Sequence, residues 1–207
     1  MTGARVRRPA GEARRLILDA AEELLAEGGA AAVQVRAVAA RVGMTDAGIS
    51  HHFGTRDRLL EALLRHGGRK IRDGVAAVLA SWLGRRAEPG ELVEALAAFY
   101  RRGYGELAVS LHAAGWRDDG SGMLAPVVEA LHALRPDRDD VPVEDTRLAV
   151  AALHQALATE PLYGPAFRRS AGLTGEAAAD GDSQLRWWTT TLTRALGLDP
   201  GAARFTR

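Results

Sequence analysis

A chain of 207 residues, 47% hydrophobic and 26% charged, is long enough for one well-cored domain, or for a small domain joined to a larger one. It contains no cysteine, which excludes a disulfide framework, a thiolate metal site and a thiol nucleophile. No run of about 18 apolar residues follows the arginine-bearing start MTGARVRRPAGEARR or occurs later, so a soluble cytoplasmic protein with no membrane partner is expected.

The net charge of +1 is unevenly spread. Residues 1–70 hold 12 Lys+Arg against 8 Asp+Glu, and the remainder holds 15 against 18. Arg5, Arg7, Arg8, Arg14 and Arg15 lead this excess, as suits an arm or face that meets phosphates, although a solvated basic tail has the same composition.

Strand-like alternation is nearly absent, and the long segments all show helical spacing. Leu16, Ile17, Ala20, Ala21, Leu24 and Leu25 form one stripe of a helix over Glu12–Glu27, closed by Gly28-Gly29. A short helix follows over Val35–Val42 and ends at Gly43. A third spans Thr45–His52 with Thr45 as N-cap. Thr55 caps a fourth, whose leucines at 59, 60, 63 and 64 precede Gly67-Gly68. That pair predicts a kink, a split or a hinge. Beyond Pro89-Gly90, a single amphipathic helix is expected over Glu91–Ala114, then a short one over Met123–Leu134, and another over Glu144–Glu160 that Pro161 and Pro165 interrupt. SAGLTGEAAADGD reads as a mobile loop, and Gln184–Leu196 as the last helix.

Two short helices joined through Gly43, with a core of Leu24, Val38, Val42, Ile49 and Phe53, describe a helix-turn-helix. Its second helix is the one that enters a DNA major groove. With Ile49 and Phe53 turned inward, Thr45, Asp46, Ala47, Ser50 and His51 point outward. The run ILDAAEELLAEGGAAAVQVRAVAARVGMTDAGISHHFGTRDRLLEAL resembles the DNA-binding domain of TetR-family transcriptional regulators throughout: an IL.AA..L...G helix, an R.(V/I)A...G helix, a recognition helix ending in HF, and an (S/T)(K/R)(D/E).L helix start.

The resemblance implies an all-α protein. A three-helix DNA-binding domain over residues 1–54, with the start of a linking helix over 55–70, would join a helical ligand-binding and dimerisation domain over 71–207. It places Arg36 at a base edge or phosphate, Asp46, Ala47 and Ser50 facing bases, Gly48, His51 and His52 near the DNA backbone, and Arg56 on a phosphate at the start of helix four. These chemistries fit, since arginine grips guanine or phosphate at two points and helix N-termini attract phosphates. The chain departs from the family where Ser50 replaces an aromatic ring, Val35 replaces a hydroxyl residue, and Asp46 puts a carboxylate near the groove.

A ligand-responsive regulator of this kind, most simply a repressor, would act as a homodimer on a near-palindromic double-stranded operator. The expected dimer interface lies on the last two long helices, through Leu153, Leu157, Leu185, Trp188 and Leu192. A small, largely apolar effector would sit among Trp82, Phe99, Tyr100, Tyr104, Trp116 and Met123, although aromatics at helical spacing are more often core residues than ligand contacts. The alternatives are a helical binding protein that no longer reads DNA, and a helical enzyme using magnesium at Asp118-Asp119 or at Asp137, Asp139 and Asp140. No nucleophile–base pair or glycine-rich phosphate loop supports catalysis, so no enzyme, cofactor or metal is expected. Helix neighbours such as His51 and His52 point about 100° apart, which argues against a metal pair. His66, His112, His132 and His154 read as surface or edge residues.

Overall fold

The computed structural model describes residues 9–85, 87–117 and 122–198. Arg5, Arg7 and Arg8, the pair Asp118-Asp119 and the last nine residues lie outside these. Among the described residues all regular structure is helical, with no strand, as the apolar spacing predicts, and no helix is long and apolar enough to cross a membrane. The chain divides into two compact units. The first runs through His66 and takes in Leu107–Trp116; the second comprises Gly67–Glu106 and the chain from Arg117 onward.

The first unit begins with α1 (Ala10–Ala32), which buries Ile17, Ala20, Ala21, Leu24 and Leu25 along one side. Its backbone leaves helical geometry at Gly28 and Gly29 and recovers for one last turn. Then come α2 (Val35–Val42), α3 (Asp46–Phe53) and the start of α4 (Arg56–Ser81). Helix α1 packs on α2, and α2 on α3. The α2–α3 turn depends on Gly43, whose φ of 67° and ψ of 35° lie in the left-handed region that costs a glycine nothing. That conformation lets the Met44 N–H reach the Ala39 carbonyl at 2.9 Å. Val38, Ile49 and Phe53 are buried beneath the turn and Val42 is half-buried; each full burial contributes about 1.5–3 kcal/mol. Arg41 fastens α2 to α1 through both Glu27 carboxylate oxygens, at 2.7 and 2.8 Å, holding the Glu27 carboxyl below its ordinary range.

In the second unit α4 continues to Ser81, followed by α5 (Pro89–Phe99), a π-helical turn at Tyr100–Tyr104, the first residues of α6 (Gly105–Ala113), α7 (Ala125–Leu134), α8 (Val143–Ser170), α9 (Gly175–Ala179) and α10 (Gly181–Ala195). Helix α8 touches α5, α7, α9 and α10 and is the axis of this unit.

Four sequence expectations are corrected here. The Gly67-Gly68 pair does not split α4, which is a single helix; Gly67 instead accepts the Tyr104 ring, which a methyl group there would overlap. The helix expected over Glu91–Ala114 is broken at Tyr100–Tyr104, where Gly103 adopts a φ of 91°. Pro161 and Pro165 do not end α8. They remove two backbone donors, but packing of the same helix on its neighbours carries it through. The segment read as a mobile loop holds α9 and the start of α10. It is anchored by Ala178, which is buried and whose carbonyl accepts from Arg168 Nε at 2.8 Å, and by Asp180, whose carboxylate accepts from the Ser183 N–H at 2.9 Å.

Candidate nucleic-acid interface

Helix α3 is held by its two buried residues, Ile49 and Phe53, and its other face is open. Thr45, Asp46, Ala47, Ser50 and His51 are exposed, while Gly48 and His52 are half-covered. The Thr45 hydroxyl accepts from the Gly48 N–H at 3.1 Å, so part of its hydrogen-bonding capacity is used to start the helix. A Cβ on Gly48 would meet the Met44 side chain at 3.2 Å. Ala47, Gly48 and Ser50 together give the helix a low profile, so that its backbone could approach a groove closely.

At the far end of α3, Arg14 of α1 donates to the His52 carbonyl, and its guanidinium carbon lies 4.2 Å from the centroid of the Phe53 ring. By sequence alone Arg14 belongs only to the N-terminal arginine cluster. The cation and the helix terminus it meets are 38 residues apart, and no spacing rule links them. The charge also complements the negative end of the α3 dipole.

Arg36 stands exposed on the first turn of α2. The Gln34 N-cap makes no side-chain bond to the helix start, and its amide instead donates to the Ala31 carbonyl at 2.9 Å. Arg36 and the uncapped start of α2 therefore present positive charge side by side.

Arg56, expected on a phosphate, is half-buried and spends two of its donor groups within the unit. Its Nε donates to the Val33 carbonyl at 2.8 Å and its Nη2 to the Ala30 carbonyl at 2.6 Å. Those donors staple the start of α4 to the end of α1. The side chain turns into the unit because the chain leaving α1 leaves carbonyls without helical partners.

The residues expected around an effector are placed as follows. Trp82 and Tyr104 are fully buried, Tyr100 nearly so, and Phe99 and Met123 are half-buried in the second unit, whereas Trp116 belongs to the first. Phe99 stacks on Tyr104 at 4.2 Å, and the Tyr100 hydroxyl bonds the His154 ring. Trp82 donates through Nε1 to Glu91 at 2.8 Å. These residues read as core. A cleft of about 190 Å³ lies elsewhere in the second unit, walled by Ala97, Leu157, Pro161, Pro165 and Leu185 with Arg101, Glu160 and Arg168 beside them. Arg168, only 6% exposed, donates to Glu160 at 2.5 Å.

The dimer residues are also corrected in part. Leu153, Leu157, Leu185 and Leu192 face inward and are buried within the single chain, so a partner would not reach them. Trp188 stays half-exposed and borders an outer groove of about 470 Å³ between α8 and α10, together with Ala156, Phe167 and Leu173. Phe167 and Trp187 are 62% and 56% exposed. Period 3.6 identifies an apolar stripe but not which of two stripes meets the protein's own core.

Of the acidic groups considered for magnesium, Asp137 is bound to Arg135 at 2.9 and 3.0 Å and Asp139 lies 3.8 Å from Arg138, so both take part in local ion pairing.

Residues 17–63 match the family model described as bacterial regulatory proteins, tetR family. Over 60 residues the chain is 43% identical to an HTH-type transcriptional repressor of Mycobacterium tuberculosis strain H37Rv, a match covering 29% of this chain. It spans about a third, 32%, of the length of that relative. Similarity to solved structures extends further. A TetR-family member from Streptomyces coelicolor A3 is 26% identical with a TM-score of 0.55, covering 89% of this chain and 98% of that one. The multidrug binding protein EbrR complexed with imidazole is 25% identical with a TM-score of 0.52, covering 91% and 97%.

Proposed function

The chain belongs to the TetR family of bacterial transcriptional regulators, and we propose that it is a homodimeric repressor released from a near-palindromic operator by a small molecule. The observation that carries DNA binding is the outer face of α3: a buried anchor of Ile49 and Phe53 beneath an exposed row of Asp46, Ala47, Ser50 and His51. Small side chains admit the helix to a major groove, and Ser50 and Asp46 are the groups able to exchange hydrogen bonds with base edges there. Arg36 supplies the phosphate or guanine contact. Arg14, docked on the end of α3, adds positive potential near the same surface.

Two copies are needed because one short helix reads only a few base pairs, and a two-fold operator is matched by a two-fold protein. The outer α8–α10 groove is the surface proposed for this contact. It combines the aromatics Phe167, 62% exposed, and Trp188, half-exposed, with small residues such as Ala152 and Ala156 that permit close helix approach. Phe167→Glu should convert a dimer into a monomer in sedimentation equilibrium while helicity is kept; an unchanged dimer would remove this surface from consideration.

The effector is proposed to enter the second unit at the cleft beside Glu160 and Arg168. Its walls are apolar and its polar groups few, as in small-molecule sites generally. EbrR, described as a multidrug binding protein, supports a ligand-binding role for this half of the chain. At about 190 Å³ the cleft is smaller than the roughly 300–1,000 Å³ usual for drug-sized ligands, so binding one would widen it. A ligand that prefers the widened form shifts the population toward it, and release from DNA follows if that form holds DNA less tightly. Screening planar organic ligands for release of the chain from its operator tests this, with Leu157→Trp as the cleft-filling control that should abolish the response.

A further inference from the structure

Asp19 and Glu22 stand one helical turn apart on α1, and His66 meets them from α4. All three belong to the first unit. The His66 Nε2 lies 3.3 Å from Asp19 Oδ1, and one ligand atom from each of the three residues falls within 4.8 Å of the others. Glu22 is 4% exposed, and the side chains of His66 and Asp19 are 12% and 43% exposed. His66, expected at the surface or an edge, is half-buried.

Position and chemistry both suit a cation. Residues three apart share a helix face, so the two carboxylates present a fixed pair to the opposing imidazole. Ligands bound at about 2.0–2.2 Å to a four- or six-coordinate ion sit roughly 3.0–3.5 Å from each other. The Asp19–His66 separation already has that value, and the other two separations lie within 4.8 Å. Carboxylate and imidazole are donor types that hold a dication, and Glu22, shut off from water, gains from a cation beside it. One nitrogen and two oxygen donors suit zinc, manganese or iron(II); calcium takes six to eight oxygens, and copper(I) prefers sulfur.

We propose that Asp19, Glu22 and His66 bind a first-row divalent cation, with water completing the coordination, and thereby clamp α1 to α4 in the unit that carries the helix-turn-helix. Sequence spacing could not reveal the site, because its third ligand is 44 residues from the second along the chain and arrives only through helix packing.

The test is titration of Zn²⁺ into the chelator-treated full chain by calorimetry, paired with thermal unfolding. One ion per chain should bind and raise the melting temperature. Asp19→Asn and His66→Gln should each lose at least about 100-fold in affinity, since even loss of a ligand's supporting partner costs 10–100-fold, and should show no zinc-dependent rise. The His51→Gln/His52→Gln double variant should bind as the native chain does. If His66→Gln fails to fold, Asp19→Asn, on the more exposed ligand, decides the outcome. No binding by the native chain, or unchanged affinity in Asp19→Asn, overturns the proposal.

Discussion

The guanidinium of Arg56 donates through Nε to the carbonyl of Val33 at 2.8 Å, joining the first residue of α4 to the residue that ends α1. A second bond from Nη2 to Ala30 makes the grip two-pronged. Val33 itself is completely buried, so its carbonyl has little access to water if the arginine is removed. Arg56→Ala should therefore lower unfolding free energy by about 1–3 kcal/mol, measured by urea denaturation. Arg56→Lys should recover only part of it, because an ammonium cannot reproduce the planar fork.

Arg36 is the contrasting case. It is exposed on α2 and assigned to DNA, so Arg36→Ala should leave the urea midpoint unchanged while weakening operator affinity. If its contact is to phosphate, the slope of log affinity against log salt should become shallower by about 1. Fluorescence anisotropy at several salt concentrations reads both quantities; an unchanged affinity would remove Arg36 from the interface.

Two glycines of α4 should respond oppositely to the same change. Gly74 is exposed with nothing near its missing side chain, so Gly74→Ala should gain about 0.5–1 kcal/mol of stability from helix propensity. Gly67→Ala would drive a methyl group into the Tyr104 ring and should lose about 1–3 kcal/mol through overpacking. Thermal denaturation of the pair gives the sign directly.

Acid should release Trp82. The Arg85 guanidinium and the Trp82 indole both donate to Glu91, at 2.7 and 2.8 Å, and these bonds hold the Glu91 carboxyl below its ordinary 4.5. A carboxyl depressed in the folded state stabilises above its unfolded pKa, and that contribution disappears as pH falls through the folded value. Stability of the native chain should therefore decline as pH drops below about 4.5, with a shift in tryptophan emission. Glu91→Gln should be less stable at neutral pH and show a smaller decline in acid.

Much of the fold was legible because local chemistry and tertiary packing agree in the first unit. Gly28-Gly29, Gly43 and Thr45 punctuate the helices there as their backbone preferences dictate, and Ile49 and Phe53 fix which face of α3 looks out. Legibility failed where packing overrides local preference. Pro161 and Pro165 signal a helix end, yet α8 is supported on several sides and continues; Gly67 signals flexibility, yet it answers the volume of a tyrosine 37 positions away. The internal contacts of Arg56 and His66 are illegible for a related reason. Their partners, Val33 and Asp19, become neighbours only when α4 folds back against α1, and neither periodicity nor charge pattern encodes that meeting.

The most direct measurement is selection of bound sequences from randomised double-stranded DNA by the full chain. The expected result is enrichment of two inverted half-sites whose centres lie one helical turn apart or a multiple of it, with enrichment lost in a variant carrying Ser50→Ala and Arg36→Ala together. Recovery of no shared sequence, or of one shared equally by that variant, would contradict a repressor that reads its operator through α3.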